Sequence, residues 1–163
     1  MAADDRMVRF DDDLRSGEHL WTTLGYRRLG WGEGTTTIAW DATPAYGFPT
    51  AGGPVIQGGL VTAILDAAMG GACWTVLDAD AAFLTADLRV EFLRSTRPGT
   101  VTATGTVVRR TRRVVFCSAE LVDADGTVLA VSRCTQVVLP AEGRAGRYDP
   151  PSADGSPPED ARG

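Results

Sequence analysis

At 163 residues and 44% hydrophobic content, the chain is long enough for one domain with a sizeable core. Its 16 Lys and Arg against 21 Asp and Glu leave a net charge of −5, which gives no sequence-wide footprint for phosphate-rich polymers and sets nucleic acid aside as a partner. Cys73, Cys117 and Cys134 are odd in number and widely spaced in apolar or strand-like contexts, which fits buried reduced thiols in the cytoplasm better than a disulfide framework. His19 is the only histidine, and no pair of Cys or His residues has metal-ligand spacing, so no metal and no cofactor are expected.

Residues 1–15 are dominated by Asp and Arg, lack the apolar core of a signal peptide, and read as a flexible acidic N-terminus. The stretch Leu14 to Leu24 can form a short helix that stops at Gly25, and His19 within it reads as a surface or packing residue. The β-branched run Thr35 to Trp40 predicts a first strand, followed by a Pro- and Gly-rich loop over Ala42 to Ile56. A helix is then expected from Gly58 to Leu77. Leu60, Val61, Ile64, Leu65, Ala68, Met69 and Ala72 recur at helical spacing, while Ala63, Ala67 and Cys73 make the opposite side apolar too. The segment is long and apolar enough to consider as a membrane span. Asp66 near its middle, the glycines and the soluble flanking strands favour a buried helix instead, so no membrane is expected.

After the polar break at Asp78 to Asp80, Leu84, Ala86, Leu88, Val90 and Phe92 alternate with Thr85, Asp87, Arg89 and Glu91, the pattern of a half-buried strand. Further strands are predicted over Thr100 to Arg109, Val114 to Val122 and Val128 to Leu139, joined by Pro98-Gly99, a basic Arg turn and Asp125-Gly126. From Ala141 onward apolar residues thin out, and a disordered tail over residues 141–163 is expected. The main domain therefore covers residues 16–140. One antiparallel sheet curled round one apolar helix satisfies both periodicities and gives an α+β class. So small a sheet cannot cover such a helix alone, and a second subunit is expected.

Asp66 is the only ionisable carboxylate from Gly58 through Leu77. Burying it without partners costs several kcal/mol (roughly 2–5). It therefore serves either chemistry or the anchoring of a neighbouring loop, with chemistry slightly ahead. Gln57-Gly58-Gly59 opens the same helix, where free N–H groups and the helix dipole can stabilise an oxyanion; a tight turn is the commoner reason for a Gly pair. Eight positions separate Gly58 from Asp66, about 12 Å at ~1.5 Å rise per residue. If both act on one carbonyl, the simplest arrangement takes the amides from one subunit and the acid from a two-fold partner.

The stretch GGPVIQGGLVTAILDAAMGGA, then TADLRVEFLRSTRPG and VDADGTVLAVSRCTQVV, resembles the PaaI-like acyl-CoA thioesterases of the hotdog superfamily over roughly Leu24 to Leu139. The resemblance implies a hotdog fold, an antiparallel β-sheet wrapped around one long central helix, in a homodimer or homotetramer. It implies hydrolysis of an acyl-CoA thioester, with Gly58 or Gly59 as carbonyl-polarising amide, Asp66 as base or nucleophile, and Thr85 orienting the water or the acid. Gln57 stands where the family commonly has His and cannot titrate near neutral pH. Ala51 stands at about the place of an upstream Asn that some members carry. Arg94, Arg97, Arg110 and Arg113 are candidates for the CoA phosphates, with solvated turn charge the alternative for each. Met69, Trp74, Phe83 and Phe48 either line an acyl pocket or are plain core. A hotdog hydratase or dehydratase and a non-catalytic acyl-CoA-binding module are the rival readings. The first depends on a His–acid pair that this chain does not offer near the helix.

Overall fold

The computed structural model describes residues 7–8, 11–12, 18–78 and 81–139. The expected C-terminal tail, 141–163, and most of the expected acidic N-terminus lie outside these residues. Within that N-terminus, Met7 is fully buried, and Asp11 accepts from Arg28 Nε and Nη2 at 2.8 to 3.0 Å.

The elements in chain order are α1 (Leu20–Leu24), β1 (Arg27–Gly32), β2 (Thr35–Ala42), a single 3₁₀ turn (Pro44–Tyr46), the short β3 (Gly47–Phe48) and β4 (Val55–Ile56), the long helix α2 (Gly58–Thr75), and then β5 (Ala82–Phe92), β6 (Gly99–Arg110), β7 (Val114–Val122) and β8 (Val128–Leu139). Six strands form one antiparallel sheet in the order β1-β2-β6-β7-β8-β5, and β3 pairs with β4 beside it. This is the expected arrangement of one sheet round one helix. β1 was not foreseen, because RRLGWG carries no alternation and two glycines; pairing with the β-branched β2 is what extends it. Helix α1 starts at Leu20 among the described residues and ends at Gly25, whose φ of +71° is the left-handed stop that glycine makes easy.

Helix α2 lies across the concave face of the sheet, with Val61, Ile64, Leu65, Ala68, Met69, Ala72 and Cys73 buried. Trp40, fully buried, donates its indole N–H to Leu24 O at 2.9 Å and so ties α1 to the core. Helix and sheet touch backbone to backbone at Gly105 of β6. A Cβ there would sit 2.2 Å from Ala68 O and 2.7 Å from Met69 N. Gly105→Ala must therefore lift the helix off the sheet. The expected cost is about 3 kcal/mol or more, a fall in Tm of ~10 °C by calorimetry. A fall of a degree or two would mean that the helix yields freely at this point.

The alternation in β5 does not run straight through. The ladder to β8 pairs Thr85 with Gln136 and Asp87 with Thr135, leaving Ala86 as an extra, unpaired residue. This bulge inverts the phase of the strand. Leu88 and Val90 point to the core as expected, but before the bulge it is Phe83 and Thr85 that face inward, while Leu84 turns outward at 63% exposure. The inward placement expected for Leu84 is corrected accordingly. Val108, at another register shift between Val107 and Arg109, is likewise turned out at 66% exposure.

Candidate active site

The sequence places a carboxylate in the middle of an apolar helix, and the sheet supplies its partners. Asp66 Oδ1 accepts from Thr85 Oγ1 at 3.0 Å, across the gap between α2 and β5. Burial pushes the Asp66 carboxyl above the usual carboxylate range, and the Thr85 hydrogen bond works against that shift. Thr85 reaches Asp66 only because the Ala86 bulge turns it inward. Its hydroxyl also lies 3.0 Å from Gln136 Oε1, and Gln136 Nε2 lies 3.2 Å from Cys134 Sγ. Gln136 is fully buried. Sequence reasoning missed it. The signal was an amide falling in register with the inward-facing Ala130, Ser132 and Cys134 of β8, a place that ordinarily takes an apolar side chain.

The helix start has the features expected of an oxyanion site. Gln57 is the N-cap; its Oε1 accepts from Leu60 N at 3.1 Å, and its backbone carbonyl accepts from Leu60 and Val61. A helix start leaves the first N–H groups, those of Gly58 and Gly59, without intrahelical acceptors. Gln57 is thereby occupied at its oxygen with capping. A Cβ at Gly59 would fall 2.8 Å from Gln57 Oε1, and one at Gly58 would fall 3.1 Å from the Phe92 ring. Gly59→Ala is therefore expected to displace the Gln57 cap, costing about 1 kcal/mol of stability and roughly tenfold in turnover if the first-turn amides bind the reacting carbonyl. Unchanged turnover with a lowered Tm would confine the pair to capping.

Gly58 and Asp66 stay apart within one chain. The helix between them is unbroken, so the ~12 Å axial separation stands. The four arginines divide by end. Arg94 donates to Val128 O at 2.9 Å and Arg97 to Gly52 O at 2.6 Å, both in the loop after β5 that borders Gly58. Arg110 donates to Val76 O and pairs with Asp78 at 3.5 Å, at the far end of α2; Arg113 is exposed on the turn beside it. One side of α2 lacks cover. Gly59, Thr62, Ala63, Asp66, Gly70 and Trp74 recur along it, none fully buried. Met69 is core, at zero exposure. Trp74 stacks obliquely on Phe83 with centroids 6.2 Å apart, and Phe48 is half exposed in a groove with Gly58 and Phe92.

Tyr26 and Arg28 also went unnoticed in the sequence. The buried Tyr26 hydroxyl and Arg28 Nη1 have no hydrogen-bond partner among the described residues. Burial pushes the Tyr26 phenol far up, and the Asp66 charge adds to that shift. All three cysteines are buried and free. Among the described residues there is no group of three or more His, Cys, Asp or Glu that could hold a metal ion, and no helix long and apolar enough to cross a membrane.

Residues 53–130 match the family model of the thioesterase superfamily. Solved structures agree on the fold. A thioesterase family protein from Silicibacter pomeroyi superposes with a TM-score of 0.73 at 24% identity, over 85% of this chain and 98% of that one. The PaaI protein of the E. coli phenylacetic acid degradation operon gives 0.74 at 18%, over 86% and 98%. A thioesterase from Haemophilus influenzae gives 0.73 at 21%, over 82% and 91%. Among curated proteins none matches.

Proposed function

We propose that this hotdog-fold chain, whose residues 53–130 match the thioesterase superfamily, is a thioester hydrolase acting on acyl-CoA thioesters, cleaved to a free carboxylic acid and CoA with Asp66 as the catalytic carboxylate. The observation that carries this reading is Asp66 itself: a carboxylate on the uncovered side of an apolar helix, held through one oxygen by Thr85, with its second oxygen left for a water or for the thioester carbon. In the reaction, the thioester oxygen lies against the Gly58 and Gly59 amides, which stabilise the charge that develops there. Asp66 either takes a proton from the attacking water or attacks directly to form an anhydride. Thr85 fixes the carboxylate in both cases.

The uncovered helix side supports a two-subunit site. Phe92 and Phe48, at 53 and 51% exposure, border its N-terminal end beside Gly58, and β5 leaves an unpaired strand edge that a second copy would cover. If the two α2 helices run antiparallel with Asp66 opposite the partner's Gly58, the C-terminal end of one helix reaches about 15 Å past the N-terminus of the other. The Arg110 and Arg113 end of one subunit then meets the Arg94 and Arg97 loop of the other, gathering at one CoA site the two pairs that a single chain holds apart. The homodimer is the minimal working unit on this reading, and a homotetramer contains it twice. The buried free thiols fit a reducing, cytoplasmic setting.

Release of free thiol from a panel of acyl-CoAs tests the activity. Tight binding of the panel without thiol release would replace the hydrolase by a binding module. Reversing the charge of Arg110 and Arg113 together is expected to raise KM for CoA esters about tenfold while sparing short thioesters that lack the nucleotide, because the lost interaction is with phosphate. Equal effects on both substrate types would return these arginines to the anchoring of the α2 C-terminus.

A further inference from the structure

The Thr85 hydroxyl presents a problem of proton counting. It lies 3.0 Å from both Asp66 Oδ1 and Gln136 Oε1, and a hydroxyl has one proton to donate. Two arrangements resolve it. In the first, Thr85 donates to Gln136 Oε1, and Asp66 must be protonated to donate to Thr85. In the second, the Gln136 amide is turned by 180°, a change in assignment that leaves its heavy atoms in place. Nε2 then donates to Thr85 Oγ1, Thr85 donates to Asp66 Oδ1, and Gln136 Oε1 faces the Cys134 sulfur, whose one proton is shared between Gln136 and Cys117. In this second chain Gln136 donates to Thr85 and Thr85 to Asp66, and Asp66 is ionised.

We propose that Gln136 is a positioning residue for the reaction: its buried amide decides which way the Thr85 hydroxyl proton points and thereby holds the Asp66 carboxylate turned and ready. This rests on Asp66 being the catalytic acid. An amide does not titrate, so Gln136 supplies direction without charge, and its orientation follows the protonation of Asp66. The neighbouring titratable groups keep one charge state. Tyr26, ahead of β1, is held protonated by burial. Cys134 on β8 is held protonated by its hydrogen bond with Cys117 and by burial, and Cys117 on β7 is pushed up to about 12. Arg28 on β1 is tied to Asp11. Gln136 is fully buried, and among the described residues the side-chain polar atoms it hydrogen-bonds are Thr85 Oγ1 and Cys134 Sγ.

The test is a double-mutant cycle with Thr85→Val, read at high enzyme concentration. Gln136→Met keeps the volume and removes the donor. Gln136→Glu keeps the shape and, when ionised, offers only acceptors, drawing the Thr85 proton away from Asp66. In the wild-type background each is expected to lower kcat about tenfold at unchanged KM, and Gln136→Glu is expected to move the acid limb of the kcat profile up by about one pH unit. In the Thr85→Val background, where no hydroxyl is left to direct, both should change kcat by less than about twofold. Equal losses in the two backgrounds, an unmoved acid limb, or a change in KM alone would overturn the proposal. So would loss of the fold in both Gln136 variants, which would make the residue structural. Full activity in Asp66→Asn would instead sink the catalytic reading of Asp66, a separate result from Gln136 variants that are silent in an Asp66-dependent enzyme.

Discussion

Asp66→Asn is expected to lower kcat for acyl-CoA hydrolysis by about a thousandfold or more while KM changes little, since an amide of nearly the same shape is neither base nor nucleophile. The same substitution should not weaken the fold. Burial raises the proton affinity of Asp66 in the folded chain above that in the unfolded chain. Its contribution to stability is therefore full at acid pH, where it is protonated, and is lost as pH rises through the raised folded value. At neutral pH the ionised, partly desolvated carboxylate is a burden that Asn lifts. The variant should thus match or exceed the wild-type Tm at pH 7 and lose that advantage near pH 4. Thiol release and calorimetry across pH check both halves. An active variant would remove Asp66 from the chemistry, and a variant less stable than wild type at pH 7 would show that the carboxylate is held mainly as an anchor.

Mixing two inactive chains is expected to restore activity. In Gly58→Val the added side chain is driven against Phe92, whose ring stands 3.1 Å from even a Cβ, and the first-turn amides are shielded. In Asp66→Asn the acid is gone. Because about 12 Å of continuous helix separates the two groups, each site of a two-fold dimer would draw its amides from one subunit and its acid from the other. A mixed dimer then holds one site with both defects and one with neither. Random mixing makes half of the dimers mixed, so activity should rise toward about one quarter of wild type. Verified heterodimers as inactive as their parents would refute the shared site, whatever the oligomeric state. Gly58→Val must first be shown to fold and exchange.

The sequence carried most of this architecture because its strands alternate and its one long helix is apolar almost all round. The helix was read to within two residues at its end, and strands β2 and β6 to β8 were read nearly to their bounds. Asp66 stood out by charge alone, an acid without another between Gly58 and Leu77. What stayed hidden depends on pairing between distant segments. β1 has no pattern of its own and exists as an extension of β2. Thr85 was singled out through a family resemblance, while its alternation with Leu84 and Leu88 pointed it away from the core; the bulge that reverses it is a property of the β5–β8 ladder. Gln136 gains its meaning from what Thr85 needs, and Arg28 from an Asp11 seventeen residues earlier. The arginines illustrate the reverse case: alike in kind and grouped by sequence, they lie at opposite ends of the helix in one chain.

The single extra residue at Ala86 makes length, more than substitution, the change to which this site is most exposed. Deleting Ala86 would regularise the β5–β8 ladder and leave Thr85 facing Asp66, because Thr85 already pairs with Gln136 and Asp87 with Thr135. Inserting one residue between Thr85 and Ala86, with the bulge kept, would instead exchange the faces of Thr85 and Leu84, placing an isobutyl group beside Asp66 where a hydroxyl now stands. One added codon would thus convert a hydrogen-bonded acid into a dry one without altering any residue named in its chemistry, and a strictly alternating reading of this strand would assign that acid the wrong neighbour.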